Sequence, residues 1–208
     1  MRLIHTSLFA AVAVVGLSAC SPQPGTPDAS SKAPAAEAPA APVDTAAPAT
    51  SQAAAAADAT AAAELAPTQG NETRGSIRFK VVDGRVHATG QVTGLAPGSE
   101  HGFHIHEKGD CSAPDGESAG GHFNPGQKAH GSVASDPHHG GDMPNIKAND
   151  QGVATVDTPV STNVNIGKGD GFDIVGRGLI VHAAPDDYTT QPTGNAGARL
   201  ACAVIQAP

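Results

Sequence analysis

The folded part of this 208-residue chain lacks any stretch in which apolar residues keep recurring at the 3.6-residue spacing of an amphipathic helix, which excludes a helical bundle. Positive charge is also scarce. Residues 60–208 carry 16 acidic and 10 basic side chains, a net of −6. That balance argues against nucleic acid as a partner, and any anionic ligand must be drawn by a local field against an overall repulsive one. Long apolar runs are missing too: residues 3–17 are mostly apolar, but the run is too short and too rich in small residues for a good membrane span. Between residues 21 and 59 there is no aromatic side chain, and Val43 is the only larger apolar one. Such a segment cannot bury enough apolar surface to offset its ordering entropy.

At the N-terminus, Arg2 precedes the apolar run, the pattern of an export signal over residues 1–19. The run closes on Leu17-Ser18-Ala19-Cys20, which resembles the lipobox of bacterial lipoproteins, where the chain is cut before the cysteine and its sulfur carries lipid. The alternative is an ordinary secretory signal cut near Ala19 beside an incidental cysteine. A lipidated Cys20 would anchor the chain in a membrane, facing the periplasm of a bacterial cell envelope. Residues 20–59 would then be a disordered Ala/Pro-rich tether, reaching roughly 35 Å on average as a coil. Three cysteines are an odd number. Lipidation of Cys20 leaves Cys111 and Cys202, which an oxidising compartment would join. Two separate reduced thiols are the alternative.

Residues 60–208 are one domain's worth of chain. Short apolar alternations predict strands at 60–66, 75–82, 85–92, 102–107, 152–160, 178–181 and 200–206, with Asp83-Gly84 as a hairpin turn. Many short strands with frequent turn signals point to an all-β sandwich or barrel. Two long stretches, 108–142 and 183–198, resist strand assignment, and loops of that length are usually functional or disordered. The first holds His122, His130, His138, His139 and Asp142. In His101-Gly102-Phe103-His104-Ile105-His106, strand geometry puts His104 and His106 on one face, pointing outward, and Phe103 and Ile105 on the other. Two histidines roughly 6–7 Å apart along a strand can both reach one metal at bonds of about 2 Å. Imidazole and carboxylate together suit zinc and copper. A bare His-x-His is otherwise two solvated histidines, and a loose metal sponge is the competing view of the loop. His87 has no partner nearby and reads as structural or solvated.

Gly102-Phe103-His104-Ile105-His106, Gly120-Gly121-His122-Phe123-Asn124-Pro125 and the run from Gly194-Asn195-Ala196-Gly197 through Ala198-Arg199-Leu200-Ala201-Cys202 together resemble the copper–zinc superoxide dismutases of the bacterial exported type. Residues 62–70 and 94–98 look like that family's first strand and the turn before its metal strand. The resemblance implies an eight-stranded antiparallel Greek-key β-barrel, an immunoglobulin-like sandwich, with long metal-binding loops. It also implies one copper and one zinc per subunit. Copper would fall to His104, His106, His122 and His182, and zinc to His122, His130, His139 and Asp142, with His122 as the shared bridge. Asp186 would link a copper histidine to a zinc histidine, and His101 would be a buried hydrogen-bonding residue. His138 is expected to be exposed. Arg199 would guide and dock superoxide, and Thr193 would line the channel mouth. The implied activity is dismutation of superoxide to dioxygen and hydrogen peroxide, with Arg199 and His122 as the catalytic pair, protecting the cell envelope.

The stretch 108–120 is longer than in the cytosolic branch, and its cysteine comes early. Residues 183–198 have only Asp186 and Asp187 as charges before Arg199, so guidance would come from elsewhere, with Lys128, Lys147 and Lys168 as candidates. The subunit interface differs between branches, so a homodimer is compatible with the chain but not carried over. Two readings outside catalysis stand beside the enzyme: a copper/zinc-buffering envelope lipoprotein on the same fold, and a wall- or partner-binding module.

Overall fold

The computed structural model describes residues 61–208; the expected signal, Cys20 and the tether lie outside the described residues. Nine strands run through them: β1 (Ala61–Pro67), β2 (Arg74–Val82), β3 (Arg85–Thr93), β4 (Glu100–His101), β5 (Phe103–His106), β6 (Ile146–Lys147), β7 (Ala154–Pro159), β8 (Gly178–His182) and β9 (Arg199–Val204). One 3-10 turn, Glu117–Ala119, is the sole helical element among the described residues.

Alternation builds the sheet. Ala61, Ala63 and Leu65 of β1, Ile77 and Phe79 of β2, and Val86, Ala88 and Val92 of β3 all turn inward, their neighbours outward. The β2–β3 hairpin closes on Asp83 and Gly84, both at positive φ (50° and 79°), the backbone that a two-residue turn matching strand twist requires. Seven strands form one curled antiparallel sheet in the order β5-β8-β9-β1-β2-β3-β7. Within it β9-β1-β2-β3 is a Greek key, the late strand returning beside the first. Strand β1 serves both halves: Ala61 to Leu65 pair with β2, then Ala66 and Pro67 pair with Cys202 and Ala201 of β9.

The strand count departs from the expected eight. Seven share the main sheet, and β4 pairs with β6 apart from it through Glu100↔Lys147 and His101↔Ile146 alone. Two residues cannot display a period of two, so this pair was invisible in the pattern. The metal strand contracts from 102–107 to Phe103–His106, and 152–160 starts only at Ala154 because Asn149 closes a turn with Gly152 and Val153.

One apolar core fills the curl, with Phe79, Phe103, Ile105, Leu179, Val181, Ala203 and Ile205 among its members; each large side chain removed from water contributes roughly 1.5–3 kcal/mol. Strands β5 and β8 face two ways. Phe103, Ile105, Leu179 and Val181 enter this core, while His104, His106, Ile180 and His182 take the opposite face. There Ile180 packs with Ala119, Cys202 and Cys111 in a small second cluster.

Candidate metal centre

His104 and His106 leave the barrel core, but they are not open to solvent: both are at most 1% exposed. The long loop after β5 folds back over them. Phe123 N donates to Ile105 O (2.8 Å), Ile105 N to Gly141 O (2.9 Å) and Glu107 N to Gly121 O (2.9 Å), so the loop pairs with the edge of β5 like an extra strand. This places His122 beside His104, with ring centroids 4.1 Å apart. His182, at the end of β8, completes a group of four.

The ring nitrogens of that group have specific states. His106 Nδ1 donates to Gly120 O (2.8 Å) and His182 Nδ1 to Gly197 O (3.1 Å), so each Nε2 is a bare lone pair. Those two Nε2 atoms stand 3.3 Å apart. His104 Nε2 donates to Asp186 Oδ2 (2.8 Å), leaving its Nδ1 bare, and His122 Nδ1 faces Asp142 Oδ1 (2.8 Å), leaving Nε2 bare. His104 Nδ1 and His122 Nε2 are both buried without a hydrogen-bond partner. Four buried lone pairs aimed at one point are costly by themselves and are what a cation would satisfy.

A second group shares His122. Its Nδ1, together with His130 Nδ1 (3.0 Å) and His139 Nδ1 (3.4 Å), surrounds Asp142 Oδ1. Asp142 Oδ2 is fixed by the backbone N–H groups of His139 (2.7 Å) and Gly131 (3.1 Å). In each group the potential ligand atoms lie within 4.8 Å of one another, and every residue is buried. Both donor sets, imidazole alone and imidazole with one carboxylate, fit a borderline metal.

Asp186 spans the two groups, its Oδ2 on His104 and its Oδ1 accepting from His130 Nε2 (2.9 Å). Burial holds the His122 ring down to about 4, against the pull of Asp142, and the His182 ring down to about 3, with the neighbouring His104, His122 and Arg199 side chains adding to the effect. Burial likewise holds His106 well below its usual range. Burial disfavours the charge on His130 as well, yet its hydrogen bonds to Asp142 and Asp186 prevail and raise it to about 9. Both carboxylates are depressed, their histidine partners outweighing the cost of burial.

Cys111 and Cys202 are joined, with Cα atoms 5.8 Å apart, which ties the loop to β9. Arg199, three residues before Cys202, sends Nη1 to Gly116 O (2.8 Å) and Nη2 to Gly120 O (2.7 Å) and Glu117 Oε2 (3.0 Å). Gly120 O therefore accepts from both Arg199 and His106. The Arg199 charge bears on His106 and His182, depressing both. A sequence model of a family described as copper/zinc superoxide dismutase (SODC) matches residues 73–205. The chain belongs to the copper/zinc superoxide dismutase family. Superoxide dismutase [Cu-Zn] 2 of Aquifex aeolicus is 46% identical over 116 residues, 54% of this chain and 67% of that protein. Superoxide dismutase [Cu-Zn] of Caulobacter vibrioides is 45% identical over 122 residues, 56% of this chain and 68% of that one. The crystal structure of a SOD-like protein from Bacillus subtilis superposes with a TM-score of 0.60 at 38% identity, over 69% of this chain and 96% of that chain. Copper and zinc are the metals of this superoxide dismutase family, and the two histidine groups are where this member could hold them.

His138 is buried rather than exposed: Nδ1 donates to Ser135 O (2.7 Å) and Nε2 accepts from Ser161 Oγ (3.0 Å), pinning the loop to the turn after β7. His101 is buried, with Nδ1 donating to His182 O (2.7 Å). His87 is partly exposed, 3.5 Å from Asp157. Thr193 is half-buried beside Gly194. Lys128 spends its charge on Asp136 (2.9 Å), so it is a poor source of guidance, while Lys147 and Lys168 are exposed. Sequence reasoning missed Glu117, Asn145, Gln191 and the need for Gly194, whose missing Cβ leaves room for Asp186 Oδ1 and His130 Nε2. Only Gly194 carried a signal, as part of a quoted motif.

Proposed function

We propose that this protein is an oxidoreductase that dismutates superoxide to dioxygen and hydrogen peroxide, with copper held by His104, His106, His122 and His182, and zinc by His122, His130, His139 and Asp142. The observation that carries this reading is His122: one nitrogen belongs to each group, and the nitrogen on the copper side is buried without a partner. Bound copper would accept and return one electron in alternate half-reactions, one superoxide leaving as dioxygen and a second, with two protons, as hydrogen peroxide. Zinc held by His122, His130, His139 and Asp142 would play a structural and electrostatic part.

The residues of the chain do the rest. His106 and His182 are locked in one tautomer by Gly120 and Gly197, so no proton occupies the copper side of either ring. His122 can hold a proton at Nε2 between half-reactions while Asp142 and the zinc set keep Nδ1 in place. Arg199, fixed by two carbonyls of the disulfide-tied loop, docks the anion beside the copper group. Metal analysis with a superoxide-dismutation assay tests this. One copper and one zinc per chain with activity supports it; full loading without activity would leave copper and zinc buffering on the same fold.

The Leu17-Ser18-Ala19-Cys20 run supports a further part of the proposal: export, lipidation at Cys20 and a periplasm-facing membrane anchor that places the activity in the envelope. Labelled fatty acid should enter the wild-type chain and be lost in Cys20→Ser. Label retained in that variant would remove the anchor from the reading.

A further inference from the structure

We infer that Gln191 is a positioning residue for the zinc set, acting on His130 from the opposite loop. The inference rests on His122, His130, His139 and Asp142 being the zinc ligands. Gln191 is exposed, in the segment between Asp186 and Arg199. Its Oε1 accepts the His130 N–H (2.9 Å), and its Nε2 donates to the His130 carbonyl (2.9 Å). One side-chain amide thereby satisfies both backbone groups of a ligand 61 residues away, the exchange that an antiparallel strand partner makes.

A reciprocal clamp faces it. Asn145, just past the histidine loop, accepts the Asp186 N–H on Oδ1 (2.9 Å) and donates from Nδ2 to the Asp186 carbonyl (2.9 Å). Each long loop thus supplies one amide that grips the backbone of a site residue in the other. Asp186 in turn holds the His130 ring at Nε2, and the glycine at 194 lets the two approach. With its backbone gripped by Gln191 and its ring by Asp186, His130 has Nδ1 aimed at the zinc position. Neither grip requires a metal. An incidental surface glutamine would make one bond to whatever carbonyl lies near; here donor and acceptor both go to the same ligand.

The two amides should differ in reach. Across the gap to the histidine loop Gln191 bonds only His130, its one other contact being Thr189 O (3.4 Å) in its own segment, so its loss affects the zinc side. Asn145 acts through Asp186, which touches His104 as well, so its loss affects both sides.

The test uses the metal-loaded protein and two readouts besides activity. Zinc release to a chromophoric chelator should be about tenfold faster in Gln191→Ala, the low end of what outer hydrogen-bond partners of metal ligands contribute. Gln191→Glu keeps the acceptor and loses the donor, and should fall between. Cobalt substituted at the zinc position should show shifted absorption bands in Gln191→Ala, which a role in loop stability alone would not produce. Wild-type release rates and unshifted bands in a variant that binds zinc would overturn the inference and leave the zinc reading intact. A wild-type protein that takes up no zinc would overturn both.

Discussion

Removing the Cys111–Cys202 bond should be the most damaging single change outside the core. The bond closes a loop 91 residues long. In the chain-entropy model that constraint raises the unfolded state by about 4.5 kcal/mol, a large share of the roughly 5–15 kcal/mol by which a domain is stable. With a urea slope of about 2 kcal/mol/M, the unfolding midpoint of the metal-free protein should fall by about 2 M. The slope itself should rise slightly, since the unlinked chain exposes more surface. Cys202 is buried against Ala119 and Ile180, so substitution to alanine would add a packing loss of its own. Reducing the wild-type bond with a dithiol avoids this, and comparing it with Cys111→Ala/Cys202→Ala separates the two effects. A second consequence follows from Gly120, whose carbonyl holds both His106 and Arg199. Hydrogen exchange in residues 107–121 should speed up on reduction. A stability loss under about 1 kcal/mol on reduction would refute the entropic reasoning. Exchange unchanged in that segment would refute the link to the site.

Acid should destabilise the metal-free protein. His106, His122 and His182 have lowered folded pKa values, so on acidification below about 6.5 the unfolded chain takes up protons that the folded one refuses. For His122 alone, falling to about 4, the loss is on the order of 3 kcal/mol. His130 runs the other way, its contribution complete below about 6.5 and lost as pH rises through about 9; Asp142 and Asp186 add a loss only below the ordinary carboxylate range. Urea midpoints that are flat or rising from pH 7 to pH 4.5 would contradict this. Glu117→Gln removes the exposed carboxylate on Arg199 while its two carbonyl anchors stay. Phosphate should then bind the metal-free protein about two- to fivefold more tightly at low salt and equally at high salt, read from the Arg199 guanidinium resonance. Equal affinity at low salt would show that Glu117 does not compete. Gly194→Ala puts a methyl onto Asp186 and His130 at a φ of +65°, and should lower metal-free stability by about 2–4 kcal/mol; a melting temperature within a degree of wild type would argue that the loop yields instead.

The alternation of Ile77 and Phe79, of Phe103 and Ile105, and the Asp83-Gly84 turn made the main strands readable, because a half-buried sheet writes its faces into the sequence with a period of two. The β4–β6 pair was not readable, since its partners, Glu100 with Lys147 and His101 with Ile146, are 47 and 45 residues apart and each strand contributes two positions. The site was legible from the residues where histidines cluster, and at the isolated His182 and Asp186 only through the resemblance. The resemblance named His122, His130, His139 and Asp142 together, and the structure brings those four side chains into one group. The exposure expected for His138 was wrong because burial there depends on Ser161, beyond β7, which no local pattern announces. Gln191 and Asn145 escaped for the same reason: an amide that clamps a distant backbone looks, in sequence, like any loop amide. Arg199 was expected as a docking charge. Its fixation by Gly116, Gly120 and Glu117 depends on a turn whose path the sequence did not reveal.

Strand β1 has a consequence for the order in which the molecule can be built. It is the earliest described strand and lies in the middle of the seven, yet its second neighbour, β9, is the latest. A chain emerging from its N-terminal side can form the β1–β2–β3 meander early, but one flank of β1 must wait for residues some 130 positions on, as the Thr68 hydroxyl on Arg199 O illustrates at a separation of 131. Contacts that distant are slow to find. The same late arrival brings Cys202, Arg199 and the second flank of β8. Strands β5 and β8 pair directly, but the disulfide and the Arg199 grip on Gly120 that hold the loop over their histidines close only once the last strand is in place.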